Sequence, residues 1–208
     1  MSQNGFYELI PIVMRTEHAV LQGNQMTAIE LKIFSSQLRE AKKGSVALKK
    51  LDISNSNLTD ESLQQIAKLA FLVEEIDLHN STFGEEGIEM LVKCYHKFDG
   101  GVLKTINLRM CKLNDQCLLI LSEIIPYLQS VVLSGNTFGG SSGLKALAEN
   151  IDSAKGMKME CLSISKHGCI FHLKNPYFAF TKFCIVLKVL KFPFKFFPKM
   201  EHFQLENL

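Results

Sequence analysis

Three stretches of this sequence fall on one frame. LKKLDISNSNLTDESLQQI (48–66), VEEIDLHNSTFGEEGIEML (73–91) and LKTINLRMCKLNDQCLLIL (103–121) carry large apolar residues at their first, fourth, sixth, eleventh, sixteenth and nineteenth places. In the first copy these are Leu48, Leu51, Ile53, Leu58, Leu63 and Ile66. The second has Val73, Ile76, Leu78, Phe83, Ile88 and Leu91, and the third Leu103, Ile106, Leu108, Leu113, Leu118 and Leu121. A period of this size means a stack of similar units, none of which buries its apolar face alone.

The stretch VVLSGNTFGGSSGLKALAEN (131–150) invites a different reading, because its glycines lie between an apolar run and an apparent helix, as in a phosphate-binding loop. It is the next copy instead. Leu128, Val131, Leu133 and Phe138 hold the frame, and one inserted residue displaces Leu144 and Leu147 by one place. A G-x-x-x-x-G-K-[ST] loop needs Lys directly after Gly140, where Ser141 stands, and G-x-G-x-x-G fails at Phe138. Gly139, Gly140 and Gly143 are read here as turn residues absorbing the insertion. Weaker copies flank the array, with Ala19, Leu21, Asn24, Met26, Leu31 and Phe34 on one side and Met159, Leu162, Ile164, His167 and Cys169 on the other.

Within each unit the pattern predicts a short strand, a turn, then a helix. Leu63, Ile66, Ala67 and Ala70 share one helical face, Glu30 to Lys43 is expected as the outer helix of the first copy, and Thr59 or Asp60 is placed to cap the helix that follows. Glu85 and Glu86 suit a solvated helix start, where negative charge favours the helix dipole.

The frame resembles the leucine-rich repeats of the ribonuclease-inhibitor subfamily, L-x-x-L-x-L-x-x-N-x-L followed by a glycine column, over residues 16–169. The asparagine column departs from the pattern, reading Asn24, Ser56, Ser81, Cys111, Asn136 and His167, and the glycine column keeps Gly87 but has Ser62 and Cys117. The resemblance implies an α/β solenoid, a short curved array of five to six units with parallel strands on the concave face and helices on the convex face. Residues 1–15 are expected as an N-terminal cap or extension, with Phe6 to Met14 either shielding the first copy or continuing sequence that precedes the array. Residues 170–208 form a divergent tail that holds nine of the fifteen phenylalanines and six lysines against Glu201 and Glu206. That tail reads as a poorly fitted end of the array, a lipid-surface segment or a docking segment.

Composition narrows the function. A net charge of +2 gives no footprint for nucleic acid. The six cysteines lack any C-x-x-C pair and are expected reduced, in the cytoplasm or nucleus; Cys161, His167, Cys169 and His172 match no common zinc spacing. The N-terminus lacks the features of a signal peptide, and no stretch reaches 18 uncharged apolar residues. No nucleophile–base set stands out among the dispersed histidines, so no enzyme, metal or cofactor is expected.

Strand alternation directs the fifth and seventh residues of each copy to the inner face. The expected binding strip is therefore Asp52, Ser54, Asp77, His79, Asn107 and Arg109, extended by Glu74 and Glu75. Its acidic bias suits a protein partner bearing Arg or Lys. The function expected is a non-catalytic intracellular protein–protein interaction module. Two alternatives stand beside it: a regulator of a GTPase or other enzyme, for which Arg109 is the central arginine, and a membrane-peripheral protein recruited by the tail.

Overall fold

A parallel sheet runs the length of the array in chain order, as the repeat frame requires. The computed structural model describes residues 3–41, 47–70, 72–97, 101–138, 142–164 and 170–172. Its strands are β1 (His18–Val20), β2 (Lys50–Asp52), β3 (Glu75–Asp77), β4 (Thr105–Asn107), β5 (Ser130–Val132), β6 (Cys161–Ser163) and β7 (Ile170–His172). Helices α1 (Gln3–Val13), α2 (Ala28–Glu40), α3 (Asp60–Ala67), α4 (Glu85–Lys97), α5 (Asp115–Leu121) and α6 (Ser142–Ser153) alternate with them, and a short 3-10 turn spans Ile125–Tyr127.

Strands β1 to β6 are parallel neighbours with equivalent residues in register: Leu51 pairs with Ile76, Ile76 with Ile106 and Ile106 with Val131. The structure is a leucine-rich repeat solenoid. Beyond the sixth strand the direction reverses, because β7 pairs antiparallel with β6. The sheet thus continues into residues that the repeat frame leaves out. At the other end α1 packs on α2 and buries Ile10 and Val13.

The core is the set of frame positions. Leu51, Ile53, Leu58, Leu63 and Ile66 are all buried, as are their equivalents in the two following copies. Each strand is only three residues long. The chain must therefore turn sharply from sheet to helix while keeping its buried backbone groups paired.

Two columns solve this. In the five copies whose eighth residue is described, that residue is left-handed: Gly23 (φ 74°), Asn55 (54°), Asn80 (56°), Met110 (55°) and Gly135 (76°). Its N–H donates to the seventh-position carbonyl of the next copy, at 2.9 Å for Gly23 to Ser54, Asn55 to His79, Asn80 to Arg109 and Met110 to Ser134. Gly135 is thereby explained, since left-handed backbone favours Gly and Asn. A side chain there would also strike Met110, whose Cγ lies 2.8 Å from the place of a Cβ.

The ninth residue satisfies the turn from inside. Asn136 accepts from the N–H groups of Cys111 (2.9 Å) and Leu113 (3.1 Å) and donates to the carbonyls of Leu108 and Leu133 (2.8 Å each). The substitutes do less. Cys111 Sγ donates to the Leu78 carbonyl at 3.3 Å, Ser56 Oγ reaches the Ser54 carbonyl at 3.1 Å, and Ser81 Oγ is buried without a partner. His167 and Cys169, with Gly139, Gly140 and Phe6, lie outside the described residues or side chains.

Asn136→Ala should therefore cost about 3 kcal/mol in urea unfolding, because buried donors and acceptors are left unmet. Ser56→Ala should cost no more than about 1 kcal/mol. Equal losses would contradict this division of labour.

Burial pushes the Cys111 thiol from its ordinary 9.0 up to about 12. The folded state thus disfavours the thiolate, so the stability at stake is intact below about pH 9 and is lost as pH climbs toward 12. Cys111→Ser should flatten this decline between about pH 9 and 11 in denaturant melts, whereas an unchanged slope would place its cause elsewhere.

Candidate functional site

The strip starts from strand ends. In three successive copies the fifth-position side chain folds back on the backbone two residues later. Asp52 Oδ1 accepts from Ser54 N (2.9 Å), Asp77 Oδ1 from His79 N (2.9 Å) and Asn107 Oδ1 from Arg109 N (3.1 Å). Asp and Asn favour this local bond, and here it fixes the residue entering each left-handed turn. Val20 and Val132 fill the same column in other copies and carry no such acceptor.

Ser54 is not part of an accessible strip. It is fully buried, and its hydroxyl donates to Asp52 Oδ1 at 2.6 Å. Alternation gives the side of the sheet but not the reach of the side chain. A one-carbon hydroxyl held against its own strand lies below its longer neighbours, and Ser134 and Ser163, whose hydroxyls meet, are buried likewise.

Asp77 is the most heavily engaged group. Its Oδ1 also accepts from His79 Nδ1 (2.8 Å), and its Oδ2 accepts from Asn107 Nδ2 (2.9 Å). On the far side of the imidazole, Asn80 Nδ2 donates to Asn55 Oδ1 (2.7 Å), which turns the Asn55 amide nitrogen to His79 Nε2 at 3.0 Å. His79 therefore donates from Nδ1 and accepts at Nε2. An aspartate orienting a histidine is one element of general-base chemistry. Here the second ring nitrogen is already occupied, and the neighbouring Ser54 hydroxyl is committed to Asp52.

The flanking glutamates add little net negative charge. Glu74 pairs with Lys104 at 2.6 Å and Glu75 with Lys50 at 2.7 Å, while Lys49 reaches Glu17 at 2.9 Å. Along the second column the signs alternate as Glu17, Lys49, Glu74 and Lys104. The lysine hydrogen bonds hold the Glu17 and Glu74 carboxyls below their ordinary range and raise Lys49. Because these groups are exposed, the ladder biases register and contributes little stability. The acidic strip expected from the sequence is thus largely neutralised by lysines of adjacent strands.

Two charged groups on the strip keep side-chain hydrogen-bonding capacity unused among the described residues, whereas the Asp77 carboxylate, which also lacks a charged partner, is held at both oxygens by His79 and Asn107. Asp52 keeps its Oδ2 without a hydrogen-bond partner, and the exposed Arg109 side chain makes no hydrogen bond or ion pair. They lie on β2 and in the turn after β4, roughly 10–12 Å apart by ordinary strand spacing. Met110, 48% exposed, continues the surface beside Arg109, and Val20, 70% exposed, stands at its N-terminal end. A cavity of about 360 Å³ opens beside Glu74, between Tyr95, Val102, Lys104, Tyr127 and Lys158. Sequence reasoning missed it, since its tyrosines come from outside the strand columns.

No cluster of metal-binding side chains occurs among the described residues, and no described helix is long and apolar enough to cross a membrane. The proposed tail segments, apart from the three residues of β7, lie outside the described residues.

Asp52→Asn keeps the acceptor that Asn107 already supplies in its own copy, so it should change stability by less than about 0.5 kcal/mol. Asp77→Ala strips three donors of their acceptor and should cost about 1–2 kcal/mol. Thermal melts of the two variants separate these outcomes; equal melting temperatures would remove the structural role of Asp77.

A Leucine Rich Repeat family model matches residues 47–69. No curated protein sequence matches the chain. Among solved structures, the chain is similar to the tropomodulin C-terminal domain of Caenorhabditis elegans, with a TM-score of 0.49 and 7% identity over 92% of this chain and 99% of that one. The matched repeat and the strand–turn–helix geometry above make this a leucine-rich repeat protein, a class that generally mediates protein–protein interaction.

Proposed function

We propose that the chain is a non-catalytic interaction module of the ribonuclease-inhibitor-like kind, acting inside the cell, and that it holds a protein partner on the concave strip around β2 to β4. The observation that carries this reading is the pair of charged groups with unused hydrogen-bonding capacity, Asp52 Oδ2 and the Arg109 guanidinium, on a surface whose other ionic groups are held by neighbouring side chains. An anionic acceptor and a cationic fork a short distance apart select a partner with the reciprocal pair. Between them Asp77, His79, Asn55 and Asn107 form a fixed polar floor, so little side-chain entropy is lost on binding.

This reading changes the partner expected from sequence. Basic residues alone would meet Arg109 unfavourably; a partner presenting both a basic and an acidic side chain fits better. A second reading, regulation of a GTPase or other enzyme, draws on the exposure of Arg109 and shares the same surface.

Affinity capture with the full chain should yield a partner whose binding weakens at least tenfold with Asp52→Lys and with Arg109→Glu, about 1.4 kcal/mol each. Asp52→Asn should weaken it less than Asp52→Lys. Unchanged binding by both charge reversals would move the interface off the strip. Loss of a partner's enzymatic regulation with Arg109→Ala, while capture persists, would favour the second reading.

A further inference from the structure

The repeats do not follow one another evenly. Lys50 pairs with Glu75 and Thr105 with Ser130, 25 residues on in both cases, whereas Glu75 pairs with Thr105, 30 residues on. Helix length alternates with this spacing. Helices α3 and α5 have 8 and 7 residues, and α2, α4 and α6 have 13, 13 and 12. A short-helix copy is thus followed by a long-helix copy, twice over.

Within each such pair an aspartate of the short helix caps the long one. Asp60, first residue of α3, accepts from Gly84 N just before α4 at 2.7 Å. Asp115, first residue of α5, accepts from Gly143 N in the first turn of α6 at 3.0 Å and from the Ser142 hydroxyl. These bonds satisfy helix-start amides that would otherwise lack an acceptor. Glycine lets the helices come this near: a Cβ at Gly87 would lie 2.5 Å from Asp60 Oδ1, and one at Gly143 2.5 Å from the Asp115 carbonyl. Gly143 therefore fills the glycine column as a close-approach residue, rather than absorbing the loop insertion. Asp60 likewise caps the next repeat, while Thr59 makes no side-chain cap.

The seam between the pairs is built differently. Helix α5 is capped by its own Asn114, which accepts from Cys117 N at 2.8 Å, and Cys117 stands where the other two have glycine. Two side-chain hydrogen bonds that join α4 to α5 and its flanks are exposed, Asn114 to Glu85 at 3.1 Å and His96 to Glu123 at 3.3 Å. Exposed polar pairs of this kind contribute little. The α3–α4 and α5–α6 interfaces are also more extensive than the α4–α5 interface.

We infer that the array is built of two-repeat blocks, α3 with α4 and α5 with α6, each locked by its aspartate–glycine contact, and that it yields first along the α4–α5 seam. Nearest-neighbour coupling in repeat arrays permits such partial opening. The seam runs between β3 and β4. It separates Asp52, Asp77 and His79 from Asn107 and Arg109; the Asn107–Asp77 side-chain hydrogen bond crosses it, beside the exposed Glu74–Lys104 pair and the backbone bonds of Leu78 N to the Asn107 carbonyl and Asn80 N to the Arg109 carbonyl. Flexing there changes the separation of Asp52 and Arg109. The block structure itself does not depend on what the strip binds.

Hydrogen–deuterium exchange of the full chain in increasing sub-denaturing urea tests this. Amides of α3 and α4 should converge on one opening isotherm and those of α5 and α6 on another. Asp60→Ala should speed exchange in α3 and α4 at least tenfold and leave α5 and α6 within twofold; Asp115→Ala should do the reverse. A single isotherm for all four helices, or α4 opening with α5, would overturn the inference. Should either variant fail to fold, the wild-type isotherms decide alone.

Discussion

Every copy must leave a three-residue strand and start back along the convex side without stranding a buried amide or carbonyl. The rest of the structure depends on how that turn is satisfied. The left-handed eighth residue sets the direction and passes a backbone hydrogen bond to the next copy. The ninth residue fills the interior of the turn, and its quality varies along the array. Asn136 makes four bonds across two copies, Ser56 and Cys111 make fewer, and Ser81 Oγ makes none. Unsatisfied buried groups are costly, so the turns are unequal in strength even though the apolar columns are uniform.

The same local economy governs the strip. Asp52, Asp77 and Asn107 look like surface acceptors in the sequence, yet each first serves its own backbone. The cross-strand ladder of Glu17, Lys49, Glu74 and Lys104 then cancels most of the remaining charge. What is left for a partner is small and specific: one carboxylate oxygen, one guanidinium and the apolar residues Val20 and Met110. Recognition by a few fixed groups on a rigid sheet is compatible with selectivity, because the polar groups do not have to be ordered on binding.

The apolar columns made the solenoid legible, since equivalent positions in every copy must meet in one core. Alternation likewise gave the strip residues their side of the sheet. Four things were hidden for physical reasons. Ser54 was misplaced because periodicity reports direction, not side-chain length. The neutralisation of Glu74 and Glu75 depends on strand register, which brings Lys104 and Lys50 from copies 25 or 30 residues away. The aspartate–glycine contacts skip from one copy to the next, so Asp60 looked like a cap for its own helix. The reversed strand β7 was invisible because it follows no repeat frame.

The central claim, that binding uses the concave strip, is tested most directly by site-specific photo-crosslinking. A benzophenone side chain at Gln22, exposed on the strand face, would be compared with one at Lys93, exposed on α4. The account predicts cross-links to the captured partner from position 22 and none from position 93. Cross-links from position 93 alone would place the interface on the helical face and contradict it.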